Sequence, residues 1–216
     1  QEDGRIYYAS DTVETRTGID VSVYQGDIDW EAVKNDGIDF AIIRLGFRGY
    51  GESGSMNLDR NFTANLEGAI AAGLDVGVYF FSQAITVEEA AEEAEFVLGY
   101  LDGYDLTCPV VFDWEVIGTE SARTYGLDTE TLCACANTFC SMVEEAGYEA
   151  MIYLTSYSGY IKYDLSQVME YDFWFAQYSD TPDFYYDFQM WQYSSQGRVD
   201  GISGDVDLNL QLIRKE

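Results

Sequence analysis

Two acids close the segment Val110–Glu115 (VVFDWE). Asp113 and Glu115, separated by Trp114, end a run apolar enough for a buried strand. Burying unpaired charge is costly, so these acids must serve something at the strand's end. Side chains alternate along a strand, which puts Val111, Asp113 and Glu115 on one face and Val110, Phe112 and Trp114 on the other. The same parity sets Asp20 and Ser22 against Ile19 and Val21 in GIDVS. In GDVDLNL it sets Asp205, Asp207 and Asn209 against Val206, Leu208 and Leu210. Arg44 is expected as a lone cation near the end of FAIIRL. Strand ends thus offer Asp20, Arg44, the Asp113/Glu115 pair and Asp207 toward one region. Converging carboxylates repel, which raises at least one pKa. A carboxyl kept protonated near neutral pH serves as a general acid, while an ionised neighbour stabilises positive charge. Glycosidic bond cleavage uses that pairing. Taken singly, Asp20 and Asp207 also read as capping residues. A strand-end Asp-x-Glu would also suit Ca²⁺ or Mg²⁺, but no EF-hand spacing accompanies it. No metal and no other cofactor is expected.

Composition narrows the chemistry further. The 216 residues carry 11 basic and 39 acidic side chains, a net charge of −28, and no histidine. Lack of His excludes a Ser-His-Asp or Cys-His nucleophile pair and a His-ligated zinc. The acidity excludes nucleic acid, which needs a basic footprint, and disfavours anionic membranes. No apolar run approaches the ~20 residues of a membrane span. Cys108, Cys133, Cys135 and Cys140 lack zinc-ribbon spacing and are expected as buried thiols, a Cys108–Cys140 bridge being the plausible alternative. Most of the abundant tyrosines and tryptophans fill the core, and some suit a sugar cleft, with an apolar face and a polar tip.

The elements that must position the acids follow from periodicity. Strands are expected over Gly18–Ser22, Phe40–Leu45, Val76–Phe81, Val110–Trp114 and Ala150–Leu154. Helices alternate with them: one capped by Asp29 and ended by Gly37, one over Leu58–Ala72 before Gly73, one opened by a Thr86/Glu89 capping box, and one ended by Gly147. Further strands are expected over Phe173–Tyr178, Phe188–Tyr193 and Val206–Leu210. Their connections are too short for full helices, apart from a short one near Ser158–Tyr163. Such alternation implies right-handed βαβ units and a parallel sheet. The fold expected is an irregular TIM-like (β/α) barrel of about eight strands and about five helices; an open doubly wound sheet is the alternative. Residues 1–17 are polar and read as an N-terminal tether, with 18–216 a single catalytic domain. The start at Gln1 reads as a processed or truncated product, and the tether-like start favours export from a bacterium, so a secreted or cell-envelope location is expected.

The segments GIDVSVYQG, VGVYFFSQA, PVVFDWE, FWFAQY, WQYSSQG and DVDLN, in that order, resemble family 25 glycoside hydrolases, the Chalaropsis-type lysozymes or muramidases. Each motif is weak alone; the ordered set, from about Gly18 to Leu210, is specific. The resemblance implies cleavage of the β-1,4 bond between N-acetylmuramic acid and N-acetylglucosamine in peptidoglycan. It places the catalytic acid on Glu115, the partner carboxylate on Asp113 and two further acids on Asp20 and Asp207. Tyr79 and Trp191 fall on aromatic positions near the sugar. Arg44, Tyr153, Trp174 and Tyr178 complete the expected substrate contacts. Phe80 departs from the His that many members carry, and Arg44 from a Lys or apolar residue; both are expected to bear on subsite preference.

Asp113 and Glu115 rise from one strand with Cα atoms ~6.5–7 Å apart, a poor arrangement for flanking one sugar ring. That favours substrate assistance: the 2-acetamido oxygen attacks, Asp113 orients that group, Glu115 protonates the leaving oxygen, and configuration is retained. Inversion, with Asp20 or Asp207 activating water, stays open. The rival functions are a chitinase-like hydrolase of other acetamido sugars and a non-catalytic wall-binding domain. The expected partner is the peptidoglycan glycan strand, met by a monomer through close contacts in its cleft.

Overall fold

The computed structural model describes residues 5–215. Nine strands form one sheet: β1 (Val13–Val21), β2 (Phe40–Arg48), β3 (Met56–Leu58), β4 (Asp75–Ser82), β5 (Val110–Trp114), β6 (Ala150–Thr155), β7 (Asp172–Ala176), β8 (Met190–Gly197) and β9 (Val206–Arg214). Eight of them run β1-β9-β8-β7-β6-β5-β4-β2, and parallel pairing of β1 with β2 closes the ring. β3 is an extra strand, antiparallel on β2. The helices are α1 (Trp30–Asn35), α2 (Phe62–Ala71), α3 (Val87–Leu101), α4 (Thr129–Glu145) and a π-helical turn, Ser158–Lys162. This is the irregular barrel expected, complete in its first half and short of helices in its second.

The sheet is mixed rather than parallel, because β9 is antiparallel to both β8 and β1. The segment between β8 and β9 is too short for the crossover that a parallel partner needs. The polar stretch expected to belong to a tether is strand from Val13 onward: β1 pairs with β9 down to Val13 opposite Arg214. It reads as polar because this end of β1 is only partly covered. Ile6 packs against the main core and Arg5 is buried against Asp36; residues 1–4 lie outside the described residues.

Local signals hold at most helix ends. Asp29 caps α1 by accepting the Ala32 N–H at 3.1 Å. Gly37, Gly73 and Gly147 take φ of 86°, 76° and 93° just past helix ends, where a left-handed residue belongs. The helix expected from Leu58 starts at Phe62, because residues 56–58 are captured by β2 as β3. Thr86 Oγ1 accepts the Glu89 N–H at 3.3 Å, but the Glu89 carboxylate turns to the Ile85 N–H and to Arg123. The capping box is therefore one-sided.

Parity divides the apolar residues into two layers. Val110, Phe112 and Trp114 join the layer between strands and helices, where Phe112 lies 5.3 Å from Phe139, ring to ring. Phe40, Ile42, Val111, Met151, Trp174 and Met190 fill the barrel interior beneath its mouth. Cys108 belongs to the interior layer and Cys140 to the helix layer, on opposite faces of the sheet; all four cysteines are buried and free.

Gly46 lies where β2 shifts register and β3 crosses it. A Cβ there would stand 2.4 Å from the Asn57 carbonyl oxygen, a backbone atom that cannot step aside. Gly46→Ala is expected to cost about 1–3 kcal/mol in urea unfolding, as overpacking does. An unchanged midpoint would show that this crossing is not close-packed.

Candidate active site

The C-terminal ends of the parallel strands open into a cleft of about 500 Å³. Its lining includes Asp20, Asp113, Glu115 and Asp207, together with Arg44, Tyr79, Tyr153, Trp174 and Tyr178. Asp20 and Asp207 face each other directly across the β1–β9 ladder. Asp113 pairs in register with Tyr153 on β6. Glu115 stands one residue beyond the end of β5.

Asp20 is the most elaborately held of the four. Its Oδ2 accepts both Gln192 Nε2 and Asn209 Nδ2, each at 2.8 Å. Behind them, the Trp174 indole N–H donates to Asn209 Oδ1 at 2.8 Å, and the Tyr153 and Tyr178 hydroxyls donate to Gln192 Oε1 at 3.0 and 3.2 Å. An indole N–H only donates, so Asn209 must turn its amide nitrogen to Asp20. Burial, then the Asp207 charge, push Asp20 up to about 8 against the pull of these two amides. Burial raises Asp207 to about 6. Burial, then Glu115 and Asp20, hold Asp113 well above the usual carboxylate range, while Arg44 pulls it back. Burial, then Asp207, raise Glu115. Asp113 Oδ1 is buried with no hydrogen-bond partner among the described residues. The cleft is thus a set of carboxyls biased toward their protonated forms, floored by aromatic edges.

Three sequence expectations change. Arg44 is no lone cation: its Nη2 and Nε lie 2.7 and 2.8 Å from Asp59 Oδ2. Asp59 also accepts the Val23 and Asn61 N–H groups, and the Tyr24 and Phe47 rings lie 5.0 and 5.5 Å from the guanidinium. Trp191 is not in the cleft: its indole N–H donates to the Gln177 carbonyl at 2.9 Å, and its ring packs on Tyr193 in the outer layer. Strand alternation turns Gln192 inward instead. Phe80, expected to bear on subsites, also faces outward, 5.9 Å from the Phe96 ring centroid, while Tyr79 and Phe81 line the cleft. Sequence reasoning missed Gln192 and Asp59, and it left Asn209 without a role. Parity in WQY and DVDLN carried the signal for Gln192 and Asn209; nothing local marked Asp59. Among the described residues, no group of three or more acids, cysteines or histidines could hold a metal ion.

The family model described as "Glycosyl hydrolases family 25" matches residues 19–202. Lysozyme M1 of Streptomyces globisporus is 30% identical over 202 residues, which cover 89% of this chain and 66% of the relative. The autolytic lysozyme of Clostridium acetobutylicum is 28% identical, covering 89% and 54%. The chain therefore spans about half to two thirds of the length of these relatives. A bacterial lysozyme from Streptomyces coelicolor has a similar structure, with a TM-score of 0.74 at 29% identity and 90% of each chain covered. The autolysin LytC of Streptococcus pneumoniae, in complex with a synthetic peptidoglycan ligand, gives 0.74 at 25% identity, covering 92% of this chain and 47% of that one.

Asp20 has a stability consequence. Between its ordinary value of 3.8 and about 8, the folded chain holds a proton that the unfolded chain releases. Stability therefore falls as pH rises through that window. Asp20→Asn keeps an acceptor for Gln192 and Asn209 and cannot ionise. It is expected to raise Tm at pH 8 by about 2–4 °C, the equivalent of ~1 kcal/mol in a chain of this size, with little change at pH 4. An equal shift at both pH values would show that ionisation of Asp20 is not the cause.

Proposed function

This chain belongs to glycosyl hydrolase family 25, and on that premise we propose that it is a peptidoglycan hydrolase cleaving the β-1,4 bond from N-acetylmuramic acid to N-acetylglucosamine. The observation that carries the proposal is the convergence of Asp20, Asp113, Glu115 and Asp207 in one aromatic-lined cleft, each raised above its ordinary value.

Glu115 is the general acid. Burial and the Asp207 charge raise its pKa and so favour the protonated form, and a partly exposed position lets it reach a glycosidic oxygen. Asp113 is the partner of the substrate's acetamido group. Asp113 is part of the cleft lining, where its carboxylate can accept an acetamido N–H. That bond, and positive charge developing on the group, both favour the ionised carboxylate, so Asp113 releases its proton to solvent as the substrate displaces water and enters the reaction as the anion. The acetamido carbonyl oxygen then attacks the anomeric carbon as Glu115 protonates the departing oxygen, giving an oxazolinium intermediate paired with Asp113. Water opens that ring as Glu115 takes back a proton, and configuration is retained. Asp20 and Asp207 shape the field around this pair. Tyr79, Tyr153, Trp174 and Tyr178 supply the contacts for the sugars.

Peptidoglycan lies outside the cytoplasmic membrane, so we assign the enzyme to the secreted or envelope fraction. No helix among the described residues is long and apolar enough to cross a membrane. One chain supplies every group used, and we take the monomer as the acting unit. With a net charge of −28, attraction to anionic walls is not the basis of recognition, and rising ionic strength is expected to change activity little; a steep loss would contradict this.

Glu115→Gln is expected to lower kcat by about 10²–10⁴, the range of a lost general acid, and clearing of cell walls that survives this substitution would remove the proposal. Proton NMR should show the β anomer forming first; an α product would replace retention by inversion. Mass spectrometry should find N-acetylmuramic acid at the new reducing end, whereas N-acetylglucosamine there would point to a different bond. The rate should fall as pH rises through the raised Glu115 value. Asp207→Asn removes a cause of that rise, so the alkaline limb of kcat/KM should move to lower pH.

A further inference from the structure

Glu115 lies past the last ladder position of β5, which ends at Trp114, so strand pairing does not hold its backbone. Its carbonyl oxygen instead accepts Gln83 Nε2 at 3.2 Å. Gln83 follows β4 in the segment VGVYFFSQA, of which the chemistry above uses only Tyr79. It is fully buried and is not part of the cleft lining, so it does not meet a substrate bound there.

Both ends of its amide are engaged. Nε2 also donates to the Ser82 carbonyl at 2.8 Å, and Oε1 accepts the hydroxyl of Thr124, itself buried, at 2.8 Å. The two carbonyl partners can only accept, so the amide nitrogen must face them, and the flipped amide would lose both bonds. The Gln83 carbonyl accepts Arg123 Nη1 at 3.1 Å, and Arg123 is tied to Glu89 on α3. A buried polar group is costly unless it is fully bonded; here each bond braces the turn behind the acid. A general acid must keep its place to a fraction of an ångström, since misplacement by ~1 Å can cost ~10² in rate.

We infer that Gln83, backed by Thr124, is the positioning residue for Glu115, holding the acid's backbone where β5 no longer does. The inference rests on the reading of Glu115 as general acid. It is tested with Gln83→Leu, Thr124→Val and Thr124→Ser, each checked by thermal melting and assayed on peptidoglycan for kcat and KM separately. Gln83→Leu should lower kcat about 10–100-fold and leave KM within about twofold, as expected for a group that acts through another rather than on substrate. Thr124→Val should lower kcat less, and Thr124→Ser, which keeps the hydroxyl, should restore it. In a Glu115→Gln background, Gln83→Leu should cost nothing more, because both changes disable one unit. A folded Gln83→Leu with wild-type kcat, or one whose loss adds in full to that of Glu115→Gln, overturns the inference. Should Gln83→Leu not fold, equal rates for Thr124→Val and Thr124→Ser overturn it. A Glu115→Gln variant with wild-type activity would instead overturn the functional reading, so the two failures are distinct.

Discussion

Carboxyl groups withdrawn from water hold their protons more tightly, and carboxyls withdrawn together hold them more tightly still. The barrel mouth depends on that effect. For all four acids burial is the leading cause of the raised pKa, and for Asp20, Asp113 and Glu115 the next cause is another acid of the same set. This has a cost: two acids directly opposite across a ladder, as Asp20 and Asp207 are, weaken the sheet when both ionise. A chain that keeps such an arrangement accepts lower stability at neutral pH in return for protons kept where water would have removed them.

The rest of the mouth limits that cost and gives it direction. Gln192 and Asn209 satisfy one oxygen of Asp20 and are themselves oriented by Tyr153, Tyr178 and Trp174. The aromatic residues therefore have two duties, lining the cleft with apolar surface and donating hydrogen bonds to the groups around Asp20. Arg44 would be a mobile cation in an acidic cleft, but Asp59 and two flanking rings hold it in place. Its charge moderates Asp113 without neutralising it. Behind the wall, the Gln83–Thr124–Arg123 cluster joins the end of β4, the segment after β5 and helix α3 into one bonded unit.

Much of the fold was legible because its signals are local. Helix ends at Asp29, Gly37, Gly73 and Gly147 rest on cap geometry within a few residues. Alternation in VVFDWE correctly divided Val110, Phe112 and Trp114 from Val111 and Asp113 because a two-sided strand leaves only two faces. What was misread involved distant partners. Residues 13–17 look like tether until β9 arrives to pair with them, and Leu58 looks like the start of a helix until β2 captures residues 56–58. The reverse strand β9 was read as parallel because its neighbours are set by closure of the ring, which no local pattern records.

Sequence alone determined the strand-end acids, their shared face and the family to which the ordered motifs point. These follow from residue type and a period of two, which survive without knowledge of neighbours. Tertiary structure decided which side chains meet those acids. It turned Trp191 outward and Gln192 inward, gave Arg44 its partner in Asp59, brought Asn209 onto Asp20, and set Gln83 behind Glu115. Those contacts span from 14 to 189 residues of chain. The two bonds onto Asp20 follow from the register of β9 against β1 and β8, the others from the pairing of their own strands, and a hydrogen bond between distant residues leaves no trace in the sequence around either one.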